Sequence, residues 1–323
     1  MEYTLKKIEK MNFITIKNDI GFEVTFSRLG ASILTIYYNG VIMTTSPKSM
    51  RDFFKKDLYF GKTIGPIANR IENGIIKIGD KEYQMELNEG NNTLHSGTKG
   101  ISNKIFDYNI NENKEFISVY MMLKDRKMKN GLPGNVTYLI TYTIPRNEAK
   151  LLVNFNVSTD ADTVIAVTNH SFFCLGEENL NHLSLKIPAS KYIESDKDTL
   201  IPRQVKDMIE CLDFRNKKNI MKDINDDYLQ NHKTKGYDHH FIFDNNNPIV
   251  LESPKYVLEI RSNFSGCQIY SDNYEDGAVM LNSPEKLHRG IAIEPQDSTL
   301  DRKVLSKVER FYSREIEYKF VQK

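Results

Sequence analysis

Period-two alternation of apolar and polar residues is the feature that most limits how this chain can fold. Tyr138, Ile140, Tyr142 and Ile144 alternate with residues that are mostly threonine. Successive side chains of a strand point to opposite faces, so this spacing predicts a strand with one buried face. Residues 153–157 show the same alternation and predict a second strand.

Shorter apolar runs predict further strands throughout the chain, and turn dipeptides such as Asn39-Gly40 and Pro133-Gly134 separate them. The runs are Phe22–Phe26, Ile33–Tyr38, Ile75–Ile78, Phe116–Met122, Thr163–Thr168, Leu183–Ile187, His240–Phe243, Tyr256–Ile260, Ala278–Leu281 and Ile316–Phe320.

Helical signals are few. Ser46-Pro47 is predicted to cap a short helix, and residues 202–228 are predicted to form a charged loop with helical turns. No regular alternation of strands and helices is visible, which disfavours a parallel α/β sheet. We therefore predict an all-β fold, a large antiparallel β-sandwich with few short helices, as one domain over residues 1–323.

Charge and cysteine content exclude several classes of function. The chain has 44 basic and 43 acidic residues, whereas nucleic acid and anionic membranes require a concentrated basic face. Cys174, Cys211 and Cys267 share no short spacing, so we predict neither a disulfide framework nor a cysteine metal site. No apolar run reaches the roughly 20 residues that span a bilayer, and no signal peptide is apparent. We expect a cytoplasmic protein, monomeric or homodimeric.

Three segments carry reactive side chains whose roles the local sequence leaves open. Asn69 and Arg70 precede a turn, where the guanidinium either grips vicinal hydroxyls or lies on the surface. His95 lies in a loop rich in Asn and Gly, as a turn cap or as a donor to a ligand. His170 follows an apolar strand, which is compatible with a core residue, a metal ligand or a proton-transfer group.

Two later segments add carboxylates and an amide. Asp238 precedes His239 and His240, and neighbours on a strand point to opposite faces, so this histidine pair is not expected to hold a metal. Glu294 ends an apolar strand, where a buried carboxylate must be paired or placed for chemistry. Gln268 offers an amide on another predicted strand.

Taken together and in order, these segments resemble the aldose 1-epimerase (galactose mutarotase) family. The resemblance runs from about residue 61 to residue 297. The stretches that carry it are IGPIANRIENG, ELNEGNNTLHSGTKG, VTNHSFFCLGE, YDHHF, CQIYSDNYEDG and IAIEPQ.

The resemblance implies a large antiparallel β-sandwich with an open sugar cleft and no metal or nucleotide cofactor. It implies interconversion of the α and β anomers of a free aldohexose such as galactose or glucose. Glu294 corresponds to the general base, His170 to the general acid, and His95 to a second histidine near the ring oxygen. The resemblance also implies a set of residues that bind sugar hydroxyls, namely Asn69, Arg70, Asp238 and Gln268.

The chemistry of anomerisation agrees with these roles. A base must take the C1 hydroxyl proton and an acid must protonate the ring oxygen, and each contributes about 10²- to 10⁴-fold. With a free pKa of about 4.3, Glu294 is expected to be ionised at neutral pH unless burial raises its pKa strongly. A nearby carboxylate favours the protonated form of His170, whose free pKa is near 6.5.

Several residues depart from the family pattern. Pro66 and Phe172 put the sugar preference in question, since both are candidates for the cleft wall. Phe172 and Phe173 are adjacent on an extended segment, so one of them must face the core. Phe106 replaces an expected tryptophan, Ser96 replaces a glycine, and Cys174 replaces an asparagine and is expected to be an inert buried thiol.

Two other functions remain open at this point. One is a non-catalytic sugar-binding or regulatory relative that uses the same cleft, although such a protein has no need of an acid–base pair. The other is an epimerase for another or a modified sugar. A phosphorylated sugar requires extra cationic residues, and the quoted segments supply only Arg70. A glycoside hydrolase is disfavoured because no catalytic pair of carboxylates is evident.

Overall fold

The structure is a computed structural model that describes residues 1–8, 11–126, 130–300, 302, 304–305 and 311–323. Within these residues the strands are β1 (Glu2–Ile8), β2 (Met11–Lys17), β3 (Phe22–Ser27), β4 (Ser32–Tyr38), β5 (Val41–Ile42), β6 (Thr44–Thr45), β7 (Thr63–Ile64), β8 (Arg70–Ile71), β9 (Ile75–Ile78), β10 (Lys81–Gln84), β11 (Thr93–Leu94), β12 (Asp107–Glu112), β13 (Phe116–Asp125), β14 (Val136–Pro145), β15 (Lys150–Thr159), β16 (Thr163–Val164), β17 (Thr168–Asn169), β18 (Phe172–Phe173), β19 (Ser184–Lys186), β20 (Lys191–Ser195), β21 (Pro202–Asp207), β22 (Lys218–Asn219), β23 (Asp238–Ile242), β24 (Ile249–Glu252), β25 (Tyr256–Ser262), β26 (Gly266–Tyr270), β27 (Ile291–Gln296), β28 (Val304–Leu305) and β29 (Phe311–Gln322).

Helices are short. The α-helices are α1 (Met50–Phe53) and α2 (Asp227–Gln230), and single 3₁₀ turns lie at Glu72–Gly74, Ile101–Asn103, Leu180–His182 and Glu210–Leu212. None of the helices in the described part of the chain is long and apolar enough to cross a membrane.

Three antiparallel sheets contain most of the strands. A nine-stranded sheet has the order β12-β13-β14-β15-β29-β25-β24-β19-β22. A seven-stranded sheet has the order β21-β20-β23-β26-β27-β18-β6. A five-stranded sheet runs from β1 to β5 in chain order. The predicted all-β antiparallel fold is confirmed.

The core lies between the faces of these sheets. Every second residue of β14 and of β15 is buried, as the alternation predicts. Tyr142 of β14 stacks on Phe26 of the five-stranded sheet, with 4.6 Å between the ring centres. Tyr318 of β29 packs on Phe173 of the seven-stranded sheet, with 5.3 Å between the ring centres. Each fully buried large apolar side chain contributes about 1.5–3 kcal/mol. The nine-stranded sheet therefore packs against both others. The prediction of one domain stays a prediction.

Four local predictions were wrong, one of them at the start of the predicted charged loop, where residues 202–207 form the largely exposed strand β21. Ala278–Leu281 is a loop, joined to the chain near Ser46 by a single bridge between Pro47 and Met280. The short helix begins after Ser49 instead of Ser46, and the Ser49 side chain accepts a hydrogen bond from the Arg51 amide. The predicted strand at residues 163–168 is split into β16 and β17. Between them, both backbone groups of Ala166 bond outside the sheets, with the Ala166 amide donating to the Pro66 carbonyl at 2.7 Å. Contacts distant in sequence decided the cases of Ala278–Leu281 and of residues 163–168, whereas the start of the helix was decided by the local cap at Ser49.

Candidate active site

Three neighbouring strands of the seven-stranded sheet form the floor of a cleft. β23 carries Asp238, β26 carries Gln268 and β27 carries Glu294. Gln268 lies directly opposite Glu294 across the β26–β27 pair, so both side chains emerge on the same face of the sheet. Asp238 lies opposite Tyr270, two residues along β26 from Gln268, so the strand register places three of the sequence-predicted residues on one face of the sheet.

Glu294 and His170 meet at this floor. His170 lies in the connection between β17 and β18, and its Nε2 atom is 3.4 Å from Glu294 Oε1. Their exposures are 6% for His170 and 2% for Glu294. Glu294 Oε2 and His170 Nδ1 are buried and have no hydrogen-bond partner among the described residues. Buried polar atoms are usually paired, so these exceptions are typical of atoms reserved for chemistry or binding.

Burial moves the pKa values of this pair in opposite directions. Burial, together with the nearby Asp238 charge, raises the pKa of Glu294 well above its usual value, although Arg70 partly opposes this. Burial lowers the pKa of His170 to about 4. The sequence predicts an ionised Glu294 unless burial raises its pKa strongly, and this condition is met because loss of hydration outweighs the local charges. These shifts therefore favour a neutral pair that holds one proton between the two residues.

His95 is fixed in one tautomer by the backbone. Its Nδ1 atom accepts a hydrogen bond from the Asn69 amide at 3.2 Å, so the neutral ring carries its proton on Nε2. Burial lowers the pKa of His95 well below its usual value, and His170 and Arg70 add to this effect. His95 lines the cleft, and its ring centre is 5.2 Å from that of His170. It is therefore a neutral hydrogen-bond donor beside the Glu294–His170 pair.

Arg70 is held between two carboxylates. Its Nε and Nη2 atoms donate to both oxygens of Glu89 at 2.8 and 3.0 Å, and Nη1 donates to Asp238 at 3.2 Å. Burial opposes the charge, but Asp238 and Glu89 together keep the pKa of Arg70 above its usual value. Gln268 donates to the other Asp238 oxygen at 2.6 Å and accepts from Asn69 at 2.9 Å. One hydrogen-bond network thus joins the four predicted hydroxyl-binding residues.

An aromatic wall formed by Phe60, Phe172 and Tyr270 lines the same cleft, which has a volume of about 250 Å³. Phe172 lines it and contacts Phe60 at 4.6 Å and Tyr270 at 5.9 Å, while Phe173 is buried in the core. The cleft therefore presents polar groups, which suit the hydroxyls of a pyranose, and aromatic ring faces, which suit its C–H face.

All the predicted site residues, Glu294, His170, His95, Asn69, Arg70, Asp238, Gln268 and Phe172, line this one cleft. Sequence reasoning missed Glu89, Tyr59, Phe60 and Tyr270, which also line it. Glu89 belongs to the same loop stretch as His95, and Tyr59 and Phe60 lie a few residues before the segment that begins at Ile64. Proximity to the motifs was therefore the available signal.

The departures from the family pattern lie mostly outside the cleft. Pro66 does not line it, and Phe106 is fully buried in the core. Burial raises the pKa of Cys174 to about 12, and its thiol contacts the Ile42 carbonyl at 3.5 Å. A thiol that stays protonated is a poor nucleophile, as expected for an inert core residue. Of these departures, only Phe172 contributes to the wall.

The adjacent histidines of β23 do not face the same environment. His239 packs against the rings of Tyr228 and His232 at 5.7 and 5.4 Å, whereas His240 contacts Gln296 at 3.2 Å. No group of three or more His, Cys, Asp or Glu residues is arranged to hold a metal ion in the described part of the chain.

Comparisons with known proteins agree on one family. A family model described as Aldose 1-epimerase matches residues 12–307. Human galactose mutarotase is 28% identical over 261 residues, which cover 77% of this chain and 73% of that protein. The aldose 1-epimerase of Haemophilus influenzae is 30% identical over 302 residues, covering 88% of this chain and 85% of that enzyme.

Solved structures give the same result for the fold. The galactose 1-epimerase from Lactobacillus acidophilus superposes with a TM-score of 0.89 at 27% identity, covering 99% of this chain and 98% of that one. An aldose epimerase homologue from C. elegans superposes with a TM-score of 0.82 at 23% identity, covering 97% and 99%.

Proposed function

Because the chain belongs to the aldose 1-epimerase family, we propose that it interconverts the α and β anomers of free aldohexoses such as galactose or glucose. It is a carbohydrate epimerase, and the proposal concerns its substrate and mechanism. The observation that carries the proposal is the buried 3.4 Å contact between Glu294 and His170 on the floor of a cleft. We expect it to act in the cytoplasm, as a monomer or homodimer.

In the proposed reaction Glu294 takes the proton of the C1 hydroxyl while His170 protonates the ring oxygen. The C1–O5 bond breaks, the aldehyde rotates about C1–C2, and the ring closes on the other face with the roles reversed. Ionised Glu294 with protonated His170 holds one titrating proton between the two residues. Neutral Glu294 with neutral His170 holds the same number. Proton transfer between the two residues therefore converts the resting pair into the reactive one.

The remaining residues position the sugar. Arg70 and Gln268 offer donors and Asp238 offers acceptors, which suits hydroxyls that both donate and accept. The Nε2 proton of His95 is available to the ring oxygen as negative charge develops there. Phe172 provides an apolar surface for the C–H face of the ring.

The cleft is poorly suited to phosphorylated sugars. Arg70 is the only Lys or Arg among the described residues that line the cleft. Its guanidinium already serves Glu89 and Asp238, so it has little charge to offer a phosphate. We therefore propose neutral free aldoses as the substrate class.

The function is tested with freshly dissolved α-galactose and α-glucose. The protein is expected to accelerate the approach to anomeric equilibrium, followed by polarimetry or by NMR exchange, and to do so after dialysis against EDTA. An unchanged spontaneous rate with a panel of aldoses contradicts the proposal. Sugar binding without acceleration, measured by calorimetry, identifies a non-catalytic relative instead. Loss of activity in EDTA indicates a metal requirement.

The pH dependence follows from the shifted pKa values. kcat/KM is expected to form a plateau between the pKa of His170 and the raised pKa of Glu294, because the active pair carries one proton throughout that range. It falls on the acid side near pH 4, where His170 takes a second proton, and on the alkaline side above the usual glutamate range, where the raised pKa of Glu294 is exceeded. An acid limb near pH 6.5, the usual histidine value, contradicts this account. Initial rates corrected for spontaneous mutarotation provide the measurement.

A further inference from the structure

The loop between α1 and β7 places one aromatic ring against both cleft histidines. The ring centre of Tyr59 is 4.7 Å from that of His95 in an edge contact and 5.8 Å from that of His170 in a stacked contact. The Tyr59 hydroxyl makes no hydrogen bond to a described residue, although burial raises its pKa to about 12. The ring, rather than the hydroxyl, therefore makes the contacts.

The imidazole of His170 has little else to fix its orientation. Its Nδ1 atom has no hydrogen-bond partner among the described residues, and its Nε2 contact to Glu294 is long at 3.4 Å. Catalytic and metal-binding histidines are usually oriented by a hydrogen bond to the second ring nitrogen. Here the neighbouring rings, Tyr59, His95 and Phe172, must hold the imidazole by packing.

The backbone of this loop is tied directly to His170. The Gly61 amide donates to the His170 carbonyl at 2.9 Å, and the His170 amide donates to the Lys62 carbonyl at 2.9 Å. Gly61 has a φ of +69°, and a Cβ there would lie 1.8 Å from the Ile33 carbonyl oxygen. The sequence Tyr59-Phe60-Gly61 thus holds the ring of Tyr59 in a set relation to His170.

Lys62 joins the two ends of this loop through a hydrogen bond of its side chain. Its side chain is fully buried, and Nζ donates to the Lys55 carbonyl at 2.8 Å and lies 5.7 Å from the centre of the Phe53 ring. No ion pair of Lys62 occurs within the described ranges, and burial lowers its pKa to about 8. A buried ammonium is costly unless its contacts compensate. This lysine links the two ends of the segment that carries Tyr59.

We propose that Tyr59 is a positioning residue that packs on His170 and His95, fixes the orientation of both imidazoles and excludes water from them. Lys62 holds the loop in the closed arrangement that this packing requires. The proposal rests on the proposed acid–base function of His170, but its spectroscopic test does not require turnover.

Tyr59→Ala and Tyr59→Phe provide the matched test in the full-length protein. Tyr59→Ala is expected to lower kcat by about 10- to 100-fold, since misplacement of a reacting group costs that order. Water then reaches His170, and its pKa, measured by NMR titration of the imidazole, is expected to move from about 4 towards 6.5. Tyr59→Phe restores the ring and is expected to rescue most of the loss in kcat and the low pKa. The titratable groups facing His170 are Glu294 from β27, His95 from the turn after β11, and Tyr59 itself.

Other outcomes overturn the proposal. If Tyr59→Ala folds with an unchanged His170 pKa and raises only KM, Tyr59 merely contacts the sugar. If Tyr59→Phe loses as much as Tyr59→Ala, the hydroxyl and not the ring is responsible. Lys62→Met is expected to change kcat and the His170 pKa in the same direction as Tyr59→Ala, and the double variant should be no worse than Tyr59→Ala. Additive losses contradict a shared role. A wild-type protein without mutarotation refutes the proposed function but leaves the titration result interpretable.

Discussion

Replacing Glu294 with glutamine is expected to reduce kcat for anomer interconversion by about 10²- to 10⁴-fold, the contribution of a positioned proton-transfer group. Glutamine keeps the shape of the side chain and its place on β27, but it cannot accept the C1 hydroxyl proton. KM is expected to change little, because the lost interaction belongs to the transition state. Polarimetry with α-galactose measures both parameters.

The matched control is Glu259→Gln, which makes the same chemical change at a half-buried position on β25 of the nine-stranded sheet. It is expected to retain wild-type kinetics. A Glu294→Gln variant with more than a tenth of the wild-type kcat removes this residue from the proposed role of base.

The same substitution is expected to stabilise the fold. The raised pKa of Glu294 means that the folded protein binds this proton more tightly than the unfolded chain does. The stability that this proton contributes is therefore complete below the pKa of Glu294 in the unfolded chain. It declines as the pH rises towards the pKa of Glu294 in the folded protein. Glutamine removes this titration, and a gain of about 1 kcal/mol, or about 1–2 °C in Tm for a chain of this length, is expected at neutral pH. An equal gain in acid, measured by calorimetry, contradicts this cause.

Replacing His170 with asparagine is the second large effect expected. Asparagine cannot donate a proton to the ring oxygen from an acidic nitrogen, so kcat is expected to fall by about 10²- to 10⁴-fold. The plateau of the pH profile should also lose its acid limb near pH 4, because that limb belongs to His170. The measurement is the pH dependence of the residual rate at saturating sugar.

His182→Asn is the matched control, since His182 is exposed at the end of a 3₁₀ turn and does not line the cleft. It should leave both the rate and the pH profile unchanged. A His170→Asn variant that keeps the acid limb shows that another group titrates there, and the role of ring-oxygen acid then passes to His95.

Much of the candidate site was accessible from the sequence because its residues lie in short motifs of reactive side chains, although Gln268 and Glu294 lie inside β26 and β27 and not at strand ends. His170, for example, was compatible with a core residue, a ligand or an acid when read alone. Its interpretation changed only because Glu294 and Arg70 occur in the same order as in a known family. Glu89 and Tyr59 escaped attention because no local pattern marks a partner of an arginine or a ring that packs on a histidine.

The sequence by itself determined the strand periodicity, and with it the all-β antiparallel class, because alternation reflects the geometry of a single extended segment. Only the tertiary structure decided which side chains meet and in what protonation state. Arg70 donates a hydrogen bond to Asp238, which lies 168 residues away in the sequence, and Asn69 donates one to Gln268, which lies 199 residues away. Hydration is lost only when such distant segments enclose a group, so the opposite pKa shifts of Glu294 and His170 follow from the assembled cleft.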